Sequence, residues 1–327
     1  MKKQTLAAGI ISLLGIFFLI LDRSTAIEGI QQGLTLCFTV VIPGLFPFFF
    51  LTNLMSSALK GWDIPGLKSI GKLIGLPVGG HYLLIPAFLG GYPMGANAIS
   101  EGYQSGNFNY ETAQRLLYFC SNAGPAFFFG ILPAAIGDRK WILSLWIIHM
   151  VSAFLISLLL PAKPCSEIHQ SKEKAFSIGE VMSSSLHAVS MVCGWVLMFK
   201  ILLGVLDHWI FWRFPDWVQI LCGGFLELTN GCLNLVKISS LPLRFLLAAA
   251  FTGWGGLCIA MQTGSLLGDL PLSTYLTGKF LHAVISFILA GSAISGHLHW
   301  AVIGFSVFFL LVKGIQIKGR KKPSCIV

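Results

Sequence analysis

The near absence of charge inside long apolar runs constrains this chain more than any other feature. Residues 5–21, 141–160, 189–206, 272–289 and 298–312 are apolar, with at most a single lysine in each. A helix crosses the hydrocarbon core of a bilayer with ~20 such residues. Only 11% of the chain is charged, against ~25% in soluble domains. In water, a fold this poor in charge would expose large apolar patches. The expected fold class is therefore all-α, a polytopic transmembrane helical bundle.

The net charge of +9 comes from short loops and the termini. Lys and Arg collect in loops that stay in the cytoplasm. The N-terminus, the 60–72 connector, the polar loop at 162–176 and the tail are therefore all expected there. Nucleic-acid motifs are absent, and no nucleic acid is expected as a partner. The eight cysteines form no CxxC pair and are expected to be free. His297 and His299 have no third ligand nearby, so neither metal nor cofactor is expected. No catalytic constellation points to an enzyme.

The chain divides into an N-terminal helix (1–26), a first half (27–161), the polar loop (162–176), a second half (177–312) and a basic tail (313–327). The N-terminal run reads as a retained helix rather than a signal peptide, because Asp22 and Arg23 interrupt the region where cleavage would fall. Pro43 and Pro47 predict a kink or a break within 27–59. Residues 79–105 are crowded with Gly and Pro, which suits two short helices joined by a turn, a re-entrant hairpin. A helix is expected after Asn109, with Asn as its cap. Further spans are expected at 189–206 and 218–236.

The two halves match at an offset of 162 residues. Gly91 pairs with Gly253, Gly102 with Gly264, Gly106 with Gly268 and Thr112 with Thr274, and Tyr92 falls opposite Trp254. Repeats holding broken helices are a transporter architecture. Unwound backbone offers polar groups at mid-membrane and is tolerated only where it is buried or lines a cavity. The breaks therefore supply the candidate solute-binding residues: Tyr92, Pro93 and Gly95; Ser121, Asn122 and Gly124; Trp254 and Gly255; and Gln262 and Thr263. Asn122 reads either as a solute ligand or as a hydrogen bond between helices. Gln262 and Thr263 read equally as an ordinary turn. Glu227, with Thr229 and Asn230 in the same turn, is a costly intramembrane carboxylate, or else an interfacial one. Lys200, Asp207 and Lys279 are expected near interfaces, their stems reaching water.

Gly91-Tyr92-Pro93-Met94-Gly95-Ala96, Cys120-Ser121-Asn122-Ala123-Gly124-Pro125, Glu227-Leu228-Thr229-Asn230-Gly231 and Gly255-Gly256-Leu257 with Met261-Gln262 resemble the YlbJ-type sporulation integral membrane proteins. That family carries the nucleoside-recognition, or gate, domain of nucleoside transporters. The resemblance runs from about residue 27 to residue 312, although the family often has Asn where this chain has Ser121. It implies passage of dipicolinic acid, a small aromatic dianion, across the outer forespore membrane. Half-helix N-termini would suit the carboxylates, and Tyr92 and Trp254 the ring. A nucleoside or other small-solute permease and a non-transporting membrane scaffold are the alternatives. The expected partners are the bilayer, the solute and, for assembly, further copies of the chain.

Overall fold

The structure, a computed structural model, describes residues 2–59, 64–76, 80–107, 109–160 and 177–297. The polar loop at 162–176, the span expected at 298–312, the tail at 313–327 and His299 lie outside the described residues. Among those described, the regular structure is entirely helical, with no strand. Five segments are long and apolar enough to cross a membrane: Arg23–Leu59, Arg139–Leu159, Ile178–Trp209, Leu241–Gly264 and Leu272–Ile294. The chain is a helical, multi-pass integral membrane protein.

Helix α1 (Lys2–Leu21) ends at Asp22, whose carboxylate accepts from the Thr25 amide and caps α2 (Arg23–Leu36). The proline-bearing segment that follows does not break. A π-helical turn at Cys37–Val41 leads directly into α3 (Ile42–Leu59), with Pro47 inside it. Proline leaves a carbonyl one turn earlier without its donor, and the wider turn just before Pro43 is where the strain is taken up.

Next comes a run of short elements. Helix α4 (Pro65–Leu73) starts on a proline, whose missing N–H has no helical partner to lose. A 3-10 turn (His81–Leu83) and a π turn (Pro86–Gly90) approach the break at Gly91-Tyr92-Pro93. Helix α5 (Met94–Gln104) leaves it. Helix α6 (Tyr110–Leu117) begins after Asn109, whose side chain accepts from the Thr112 amide, as its cap role predicts. Residues 121–124 are non-helical, a π turn (Phe127–Ile131) follows, and α7 (Pro133–Ile136) ends the run.

Helices α8 (Arg139–Leu159) and α9 (Ile178–Trp209) are unbroken, and α9 takes in the stretch ahead of residue 189 as well. The span expected over 218–236 is not a single helix. It divides at Glu227 into α10 (Asp216–Leu226) and α11 (Leu228–Asn234). Two glycines in α10 and one in α11 lower helical propensity there, and the Glu227 side chain offers the freed amides a better acceptor than water. Helices α12 (Leu241–Trp254) and α13 (Gly256–Gly264) meet at Gly255, which is left-handed, and α14 (Leu272–Ile294) follows.

Two apolar clusters hold these elements. One joins Leu117, Phe128, Ile142, Phe245 and Leu289, and the other packs Phe49 of α3 against Val192 and Val196 of α9 and Cys258 of α13. Helix α9 runs antiparallel to α2 and α3: Thr25 lies by Gly204, Gly33 by Leu197, and Asn53 donates to Ser185. Gly29 and Gly33 let the two backbones approach, as small residues do between membrane helices. A Cβ on Gly29 would lie 3.0 Å from the Ile201 Cα.

Candidate functional site

Three helix interruptions, at Gly91, at 121–124 and at Gly255, meet in the interior, and glycine permits each of them. The break at Gly91 and the non-helical stretch at 121–124 touch backbone to backbone: a Cβ on Gly124 would lie 2.9 Å from the Gly91 Cα. A Cβ on Gly95 would overlap the Cys120 carbonyl oxygen. Asn122 ties the same pair of breaks together, its amide donating to the Ala87 and Phe119 carbonyls at 2.9 Å each. Across the bundle, the Tyr92 hydroxyl donates to the Thr252 carbonyl at 3.0 Å, and its ring lies against Gly255. The break of the first half thus meets the break between α12 and α13. Their outer ends meet as well, where Ser100 donates to the Leu266 carbonyl at 2.7 Å.

Lys279 of α14 reaches this junction and is fully buried. It does not sit near an interface as expected from the sequence. It enters α14 about two turns from the helix start, too deep for its stem to return to water. Its ammonium donates to the Ser121 carbonyl, to the Tyr92 hydroxyl at 3.2 Å and to His282 Nδ1 at 3.2 Å. All three are acceptors. A carbonyl can only accept. The Tyr92 proton already goes to Thr252. His282 Nε2 faces the His149 carbonyl at 2.9 Å and therefore carries the ring proton, leaving Nδ1 to accept. The ammonium form of lysine, with three donors, meets all three. Among the described residues, no carboxylate pairs with it.

The histidines extend the cluster. His149 stacks on His282 with ring centroids 4.2 Å apart, and its Nε2 accepts from the Ala123 amide at 3.0 Å. Beyond them Ser286 donates to Ser152 at 3.0 Å. Around Lys279 several buried polar atoms have no protein partner: Ser121 Oγ, Asn122 Oδ1, His149 Nδ1, Thr263 Oγ1 and Tyr275 Oη. The Tyr275 hydroxyl faces Thr263 and Ser121, and its ring lies 6.0 Å from the Lys279 nitrogen. A buried polar atom left unpaired costs about 1–3 kcal/mol, so such a cluster at one point calls for a ligand or a movement.

Glu227 belongs to a different neighbourhood. Its buried carboxylate accepts from the Thr229 amide at 2.9 Å and the Asn230 amide at 2.6 Å, so it caps α11. Asn230 in turn accepts from Lys200 at 2.6 Å. That lysine lines an open cavity of about 330 Å³ with Glu28, Gln32, Asp207 and Asn230, between α2 and α9. Asp207 is exposed there, while Lys200 is half-buried.

The candidate residues thus separate. Tyr92, Pro93, Gly95, Ser121, Asn122, Gly124, Gly255 and Thr263 gather at the junction of breaks. Glu227, Thr229 and Asn230 stand beside the cavity. Trp254 stacks on Phe225, with centroids 5.1 Å apart, and donates to the Phe225 carbonyl; Gln262 contacts the Cys258 sulfur at 3.4 Å. Sequence reasoning placed Lys279 near an interface and passed over His282, His149 and Tyr275. Lys279 could have been found from its depth within an apolar run. The others become visible only once α8 and α14 are packed. Among the described residues, no group of three His, Cys, Asp or Glu side chains could hold a metal ion, and the described cysteines are free.

No protein-family profile and no solved structure matches the chain. Over 84% of its length, and 81% of the relative's, the chain is 22% identical to the sporulation integral membrane protein YlbJ of Bacillus subtilis (strain 168). The chain is a multi-pass membrane protein related to a sporulation integral membrane protein.

Proposed function

We propose that this protein is a carrier of a small polar or anionic solute, and that the junction of helix breaks around Asn122 and Lys279 is its binding site. One observation carries the reading: backbone released from helices at Gly91–Pro93 and at 121–124 surrounds a buried lysine in the middle of an apolar bundle. A protein that needed only to stand in lipid would gain nothing from a buried cation, which is expensive there. A carrier needs polar partners at that depth.

Three further points support it. Met94 and Gly256 each open a short helix after a break, at the offset of the sequence repeat, and Tyr110 and Leu272 open the next helices at the same offset. Two related halves, each with a re-entrant hairpin, account for this spacing. The relative's name points to sporulation, where the family resemblance makes dipicolinate the first solute to try and the outer forespore membrane the site of action. Finally, nothing in the cluster resembles a nucleophile activated by a base, so binding and passage, rather than catalysis, is the reading adopted.

Uptake of labelled dipicolinate into proteoliposomes tests this, with Asn122→Ala beside the parent. Asn122 closes the two breaks of the first half, so its loss is expected to abolish uptake while the protein still elutes as a single folded species. A parent that moves no dipicolinate under any imposed ion gradient would remove that solute. If nucleosides and other small carboxylates fail as well, the carrier reading falls and a scaffold replaces it.

A further inference from the structure

We propose that the Lys279 cluster is a carboxylate-binding site, in which the lysine ammonium neutralises one negative charge of the solute while the Ser121, Thr263 and Tyr275 hydroxyls donate to its oxygens. This deepens the carrier reading, on which it rests only for the claim that the bound anion is also transported. Binding itself can be measured without transport.

The argument begins with charge. The ammonium form of Lys279 meets all three acceptors around it, and its three partners are all neutral. A buried ion left without a counter-charge is costly, and among the described residues nothing on the neighbouring elements supplies one. The titratable groups that face it are Tyr92 on the first break, Cys120 before the second, Tyr275 and His282 on α14 and His149 on α8. None is a carboxylate. The site therefore carries a net positive charge, and the ligand chemistry that answers it is anionic.

Shape and donors narrow the class. Ser121 Oγ, Thr263 Oγ1 and Tyr275 Oη are buried hydroxyls that face one another and have no partner outside that set. Each can donate, and they come from three different elements around one point. Hydroxyl donors beside an ammonium match the two oxygens of a carboxylate, in charge-assisted bonds stronger than neutral ones. The ammonium's present partners are easily exchanged for such a ligand. The Ser121 carbonyl lies in a stretch with no helical hydrogen bonds to break, and the Tyr92 hydroxyl retains Thr252. One lysine balances one charge, so a dicarboxylate would carry its second charge outside this cluster.

These hydroxyls make the test clean. Thr263→Val and Tyr275→Phe each remove one hydroxyl from a set whose members face only one another. Both variants are therefore expected to fold and melt like the parent or slightly above it. Purified full-length protein in detergent is titrated with benzoate, dipicolinate and neutral picolinamide, and binding is read by calorimetry. The parent is expected to bind the carboxylates in preference to the amide. Each hydroxyl variant should weaken carboxylate binding about tenfold, the loss expected when a hydrogen bond to a charged group is removed. Lys279→Met should abolish the preference for carboxylate over amide. Unchanged carboxylate affinity in both hydroxyl variants would overturn the proposal, as would a parent that binds neither carboxylate or prefers the amide. Binding with the expected pattern but no uptake in proteoliposomes would leave the site standing and defeat the carrier reading alone.

Discussion

At the scale of single residues, Glu227 shows how an expensive group can be structural. Its two oxygens take the amides of Thr229 and Asn230 at the point where the chain leaves α10 and enters α11. Those amides lie in an apolar bundle where few other acceptors are at hand. Glu227→Gln keeps one acceptor oxygen and should cost about 1 kcal/mol, whereas Glu227→Ala exposes both amides and should cost about 2 kcal/mol, the upper range for lost caps. Thermal unfolding in detergent checks the order. Equal losses would mean that the charge, rather than the cap, is what α11 needs. The Glu227–Asn230–Lys200 chain also gives the first effect an expected side consequence. Gln at 227 removes one of the negative charges that act on Lys200, so the cavity between α2 and α9 becomes more positive.

At the scale of elements, the breaks are packed rather than loose. Gly95 stands so close to the Cys120 carbonyl that a methyl group would overlap it, whereas Gly194 of α9 has open space around its Cα. Gly95→Ala should therefore destabilise by about 3 kcal/mol, the upper end of what overpacking a core usually costs. Gly194→Ala should gain a few tenths from helix propensity. A melting series carrying both variants reads the contrast, and a harmless Gly95→Ala would mean that the two breaks can separate freely. Arg115 is the second clamp. From α6 it donates to the Ile74 and Gly75 carbonyls past the end of α4 and to Ser157 of α8, at 2.7–3.1 Å. Arg115→Ala leaves those buried carbonyls unpaired and should cost about 2–3 kcal/mol; Arg115→Lys should recover only part of this, because an ammonium lacks the guanidinium fork. These elements also mark how far the sequence was legible. Breaker residues located the interruptions at Gly91, 121–124 and Gly255, because Gly and Pro act locally on the backbone. Asn109 marked a helix start for the same reason. The interruption at Glu227 was missed because apolar residues on both sides suggested continuity, and the competing acceptor is a side chain whose direction no local pattern reveals. Lys279 was misplaced because its depth depends on how α14 packs, which is a tertiary fact.

At the scale of the whole molecule, the antiparallel pairing of α9 with α2 and α3 fixes which ends lie on the same side of the bilayer. Asn53 near the end of α3 holds Ser185 near the start of α9, and Trp209 at the end of α9 donates to Asp22 at the start of α2. The end of α3 and the start of α9 therefore belong to one face, with Lys68 and Lys72 of α4, and Arg115 ties the end of α8 to the end of α4. The other face carries Asp22, Arg213 and the exposed rings of Trp209, Trp212 and Trp217. Exposed tryptophans at the end of an apolar helix suit the interfacial belt, where the ring meets headgroups, and Arg213 stacks on Trp212 there, 4.9 Å from its centroid. Basic loops stay inside, so the face with Lys68 and Lys72 should be cytoplasmic and the tryptophan face external. Single cysteines at Ser177 and Arg213, each in a background with the native cysteines replaced, decide it. A membrane-impermeant maleimide added to intact cells should label Arg213→Cys and reach Ser177→Cys only after lysis. Labelling of both from outside would break the antiparallel pairing on which the fold depends. Labelling of Ser177→Cys alone would preserve the fold and invert it in the membrane, which would also reverse the side from which an anion approaches Lys279.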